Sequence, residues 1–74
     1  MAKRKPIMDR TWLKMARLDK GYTQLQVAEV AEISVASYNQ IEQGFNVPSV
    51  DAAIRITDFL GVSIRNFVTE KPIK

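Results

Sequence analysis

Apolar residues in this chain recur three and four positions apart in short runs, most of them with a small polar residue in front and a glycine behind. That spacing is the period of a helix with one face turned inward. No strand-like alternation and no internal repeat interrupts it. A first helix is predicted from about Arg10 to Lys20, with Asp9 or Thr11 as its cap and Gly21 as the left-handed residue that ends it. Its inward residues are Leu13, Ala16 and Met15 or Leu18, with Trp12 at the edge. Thr23 followed by Gln26 is a capping box, in which hydroxyl and amide satisfy orphan backbone donors reciprocally. The helix it opens turns Leu25, Val27, Ala28 and Ala31 inward.

Ser34 caps a third helix with Tyr38 and Ile41 on one face, and Gly44 ends it. After a loop from Phe45 to Pro48, Ser49 caps a fourth helix whose stripe is Val50, Ala53, Ile54, Ile56 and Leu60. Gly61 stops that helix, and Ser63 opens a short fifth one that reaches about Val68. The predicted fold class is all-α, a compact five-helix domain. Residues 9–69 form the domain, residues 1–8 a basic flexible N-terminal arm and residues 70–74 a tail, with Glu70 to Lys74 frayed.

A chain of 74 residues buries only about 60% of the surface its unfolded form exposes. With no cysteine it has no disulfide staple, so a cytoplasmic protein is the default expectation. No apolar run approaches the roughly 18 residues of a membrane span, and no membrane association is expected. Histidine is absent too, which removes the commonest general base, the best nucleophile and the two best transition-metal ligands together. The carboxylates are scattered and form no ligand motif. The expectation is no enzyme, no metal, no cofactor and no small-molecule substrate.

The net charge of +3 conceals a segregation. Residues 1–20 hold seven Lys and Arg against two Asp, a net of +5, and residues 55–74 hold four cations against two carboxylates, a net of +2. Residues 21–54, which contain the second and third helices, carry four carboxylates and no cation. Attraction to phosphate must come from the ends of the chain.

Gln24, Ala28, Ile33-Ser34, Ile41-Glu42-Gln43-Gly44, Pro48-Ser49 and Leu60-Gly61-Val62-Ser63 together resemble the lambda repressor and Cro family of helix-turn-helix proteins, over roughly Leu13 to Val68. The resemblance implies a lambda-repressor-like DNA-binding domain whose third helix enters the major groove of an operator. Gln24 then sits beside a phosphate at the start of the second helix, where amides and dipole attract anions. Val35, Ala36, Asn39 and Gln40 occupy the base-reading positions. Asn and Gln pair with adenine and small apolar side chains touch thymine methyls, so A·T pairs are the expected contacts. Ser34, Ser37, Asn46, Lys3, Arg4, Lys5, Arg10 and Lys14 are the further candidates for phosphate. Arg17 and Glu42 match positions that form an ion pair between the first and third helices in some members. A homodimer is a family expectation, since no heptad specifies one.

Three positions depart from the family pattern. Glu32 stands where the turn usually has glycine, so either the turn is less left-handed or the residue is strained by about 1 kcal/mol. Tyr38 replaces an aliphatic core residue, and its hydroxyl needs water or a partner. Phe45 and Val47 stand in a loop that is usually basic or polar, and they suit either a protein surface or a fold back over the core. Two functions follow. One is a transcriptional regulator that binds double-stranded operator DNA. The other is an antirepressor or modulator that binds a repressor protein, with the acidic helix-turn-helix segment imitating DNA and Val35, Ala36, Tyr38, Phe45 and Val47 forming an apolar interface.

Overall fold

The computed structural model describes residues 5–70. The expected helices are α1 (Thr11–Asp19), α2 (Gln24–Ala31), α3 (Val35–Gln43), α4 (Val50–Leu60) and α5 (Arg65–Val68). Three start as the hydroxyl residues dictate. The Thr23 hydroxyl accepts from the Gln26 amide (3.1 Å) while the Gln26 side chain accepts from the Thr23 amide (2.8 Å), completing the capping box. Ser34 accepts from the Ser37 amide (3.0 Å) and Ser49 from the Ala52 amide (3.2 Å). At α1 the cap comes from one residue further out, because Arg10 is the flanking residue and makes no side-chain cap. The Asp9 carboxylate takes the Thr11 hydroxyl (2.7 Å) and amide (3.0 Å), and these bonds hold its pKa below the usual value.

Helix ends show where the turn chemistry is strict. α2 ends on Glu32, which is left-handed at φ 62° and is the single non-glycine residue with positive φ among the described residues. The turn therefore keeps the family geometry at a steric cost of about 1 kcal/mol. Gly44, at the end of α3, has φ 89° and faces a second constraint: a Cβ there would run into the Met8 carbonyl oxygen.

α2 packs on α4 and α3, and α1 packs on α3. The core is Leu13, Val27, Ala28, Ala31, Tyr38, Ile41, Ile56 and Leu60. Each short helix offers a narrower stripe than its apolar content suggests. α1 contributes Leu13, Ala16 and Arg17, three residues within one arc, and leaves Met15 and Leu18 exposed on its far side. Leu25, expected inward on α2, is 54% exposed for the same reason, and Val50 and Ile54 on α4 face outward. Thr57 takes an inward place on α4, its hydroxyl satisfied by the Ala53 (2.9 Å) and Ile54 (3.2 Å) carbonyls. Tyr22 stacks on Phe59 with centroids 4.2 Å apart, and Trp12 meets Phe67 edge-on at 4.8 Å, which fastens the α1 region to α4 and α5.

Both ends of the described chain are held more firmly than frayed arms would be. The Ile7 (2.8 Å) and Met8 (3.2 Å) amides donate to the Gly44 carbonyl, so the arm is docked by its last two residues. Glu70, expected to be frayed, has a side chain only 3% exposed, ion-paired to Arg10 and accepting from the Trp12 indole N–H (2.7 Å). Buried charges need such partners, and the two groups supply them to each other.

Candidate nucleic-acid interface

The capping of α3 by Ser34 aims its first turn outward. Ser34, Val35, Ala36 and Ser37 are exposed, and Asn39 and Gln40, one turn further on, are half-buried. The opposite side of α3 carries Tyr38, Ile41 and Glu42 into the interior. The four base-reading candidates Val35, Ala36, Asn39 and Gln40 therefore stand on or beside the outward face of α3, as a helix entering a groove requires.

Two of them are held by other amides. Asn39 Nδ2 donates to Gln24 Oε1 (3.2 Å), which ties the middle of α3 to the first residue of α2. Asn46 Nδ2 donates to Gln40 Oε1 (2.5 Å), which ties the end of the face to the loop that follows. These pairings are absent from any one-dimensional pattern. The only available signal was six amide side chains within 23 positions, from Gln24 to Asn46.

Behind the face, Arg17 and Glu42 form the ion pair that the resemblance implied. Arg17 Nε and Nη2 donate to the two Glu42 oxygens at 2.8 and 2.9 Å, and Nη1 donates to the Tyr22 carbonyl at 2.9 Å. Burial is the largest influence and works to raise the Glu42 pKa, but the hydrogen bonds and charge of Arg17, with the neighbouring Tyr38 and Gln24 side chains, together outweigh it and hold the carboxyl below the usual range. The Glu42 hydrogen bonds in turn raise the Arg17 pKa. Tyr38 is fully buried against this pair. Its hydroxyl reaches neither water nor a hydrogen bond of ordinary geometry, and burial, then the Glu42 charge, pushes its pKa up.

Charge is distributed differently from what the sequence implies. Among the described residues Arg10, Arg17 and Arg55 are engaged by Glu70, Glu42 and Glu32, leaving Lys5, Lys14, Lys20 and Arg65 without an ion pair. Arg10, expected on phosphate, is 3% exposed and unavailable. Lys14 is well placed: it lines a cleft of about 430 Å³ together with Gln24, Asn39, Gln43 and the Arg17–Glu42 pair. Lys5 is exposed next to the docked Ile7 and Met8. Lys3 and Arg4 lie outside the described residues.

The apolar candidates divide. Tyr38, expected at a protein interface, belongs to the core, because α3 turns it inward with Ile41. Phe45 is half-buried, whereas Val47 is 67% exposed. Val47 joins Pro48, Val50, Ile64, Phe67 and Val68 around an apolar groove of about 270 Å³.

The sequence pattern of the helix-turn-helix family matches residues 13–67, which contain most of α1, all of α2 to α4 and most of α5. The chain belongs to the helix-turn-helix family. It is 48% identical over 54 residues, 73% of this chain and 71% of the relative, to the uncharacterized HTH-type transcriptional regulator YqaF of Bacillus subtilis (strain 168). Among solved structures it resembles the N-terminal DNA-binding domain of SinR from Bacillus subtilis, with a TM-score of 0.71 and 27% identity over 84% of this chain and 91% of that one. SinR in complex with DNA superposes with a TM-score of 0.70 at 26% identity, covering 82% of this chain and 98% of that chain. The five helices thus form a lambda-repressor-like helix-turn-helix domain, with α2 and α3 as its motif.

Proposed function

We propose that this helix-turn-helix regulator binds double-stranded DNA with α3 in the major groove. The observation that carries the reading is the outward face of α3, whose polar members are oriented by Gln24 and Asn46 in a fold shared with a DNA-bound regulator. Val35 and Ala36 meet thymine methyls, and Asn39 and Gln40 read adenine edges, so the site is built on A·T pairs. Lys14, Lys5, the Ser34 and Ser37 hydroxyls and the first amides of α2 take phosphates, with Lys3 and Arg4 supplying further charge. A second copy seated on the apolar α4–α5 groove gives two α3 helices for two half-sites; no charged side chain lines that groove. The work is cytoplasmic and regulatory, and no helix among the described residues is long and apolar enough to cross a membrane.

The repressor-binding alternative loses one of its anchors, since Tyr38 is in the core, while Phe45 is half-buried. Affinity for a duplex, measured from 50 to 200 mM salt, separates the two functions. About two to four phosphate contacts per subunit in a dimer give a loss of about 10²- to 10⁴-fold over that range. Selection of preferred duplexes then yields A·T-centred half-sites occupied by two chains. A protein with no duplex affinity at 50 mM salt sinks the DNA reading.

A further inference from the structure

Residues remote from α3 converge behind the end of its base-facing surface. Arg10 donates through Nη1 to the carbonyl of Ile41 (2.7 Å), inside α3, and to the carbonyl of Asn46 (3.0 Å), in the loop beyond it. Glu70 closes on the same guanidinium, and the Phe67 ring lies 5.1 Å from it. The Gly44 carbonyl is held from a third side by the Ile7 and Met8 amides. The loop is therefore pinned to both ends of the described chain, and its Asn46 side chain donates to the Gln40 amide oxygen.

We infer that Asn46 is a positioning residue that sets the base preference of Gln40, and that Arg10 and Glu70 hold Asn46 in place to do so. This rests on the reading that α3 lies in the major groove. A glutamine amide has an acceptor and a donor end of nearly equal size, and turning it over reverses the pattern it presents. Asn46, by donating, directs the oxygen of Gln40 toward the loop. The Nε2 protons and one oxygen lone pair remain for a base edge. That combination suits a purine N7 that accepts, with the adenine N6 amino group beside it. Without Asn46 the amide turns freely and the discrimination weakens. The role differs from that of a phosphate ligand, which would lower affinity for every sequence alike.

The test is competition binding of the intact chain to its best selected duplex, to that duplex altered at each base pair in turn, and to random duplex. Asn46→Ala is expected to reduce discrimination at the single pair that Gln40→Ala also flattens, by about fivefold or more, and to leave random-duplex affinity and its salt slope within about twofold. Adding Asn46→Ala to Gln40→Ala is expected to change nothing further. Asn46→Asp, which can only accept, is expected to shift the preferred base at that pair, and Glu70→Gln to cause a smaller loss at the same place. Thermal melting of each variant separates loss of preference from loss of fold. Uniform weakening on all duplexes with a shallower salt slope, or unchanged preference in both Asn46 variants, overturns the inference while leaving groove binding intact. Absence of duplex binding by the unaltered chain overturns both.

Discussion

Two buried arginine–glutamate pairs, Arg17–Glu42 and Arg10–Glu70, do different work within one small domain. Arg17 meets both carboxylate oxygens of Glu42 and a nearby carbonyl, so its bonds join α1 to α3 and to the turn after α1. Arg10 spends its bonds on two carbonyls of α3 and the following loop, an aromatic ring, and a carboxylate close to the end of the described chain. The first pair fastens helices, and the second fastens a loop and a chain end. A buried charge costs several kcal/mol to leave unpaired, but that cost is full only where the surroundings cannot open to water.

The comparison predicts unequal losses. Glu42→Gln leaves the Arg17 charge inside the helix-turn-helix unit and is expected to destabilise by about 3–5 kcal/mol, read from urea unfolding followed by circular dichroism. A loss below about 1 kcal/mol would mean that the pair is not the clamp its geometry indicates. Acid should reproduce part of this effect. The folded Glu42 pKa is depressed, so its contribution is complete above the unfolded value of about 4.3 and disappears as pH falls through the lower folded value. Stability that instead rose on acidification below pH 4 would contradict the sign.

Glu70→Gln is expected to cost less, about 1–2 kcal/mol, because Arg10 keeps the Ile41 and Asn46 carbonyls and the Phe67 ring as partners when the carboxylate is lost. In Glu70→Ala the Trp12 indole loses its acceptor altogether, so its fluorescence should shift in the folded state; an unchanged spectrum in that variant would mean that Glu70 does not hold the indole. The smallest effect belongs to the hydroxyl beside the Arg17–Glu42 pair. Tyr38→Phe deletes a buried group without a hydrogen bond and is expected to lie within about 1 kcal/mol of neutral at pH 7. Its folded pKa is raised, so stability falls as pH climbs past the ordinary tyrosine value of about 10, and the phenylalanine variant should lose that alkaline decline.

The same contrast explains how far the sequence could be read. Thr23, Ser34 and Ser49 mark their helices because a cap acts within three residues, and Gly44 and Gly61 mark ends because only backbone sterics are involved. The Arg17–Glu42 pair was legible through family spacing. The Arg10–Glu70 pair joins positions 60 apart and follows from no local rule, so Arg10 looked like one more surface cation. Met15, Leu18 and Leu25 were misplaced because apolar content does not say which arc of a short helix meets a neighbour. The amide partners of Asn39 and Gln40 depend on where α2 and the loop lie, which is tertiary information.

The docking of Ile7 and Met8 on the Gly44 carbonyl also bears on a motif whose own two helices carry no cation. An anchor beside the end of α3 holds Lys5 on a short tether. Two residues span at most about 7 Å, so Lys5 is confined near the loop after α3 instead of sampling the whole protein surface. In the proposed DNA complex its charge is presented to the adjacent phosphates at an effective concentration of at least the millimolar order, a gain that comes from chain connectivity and needs no added lysine in α3.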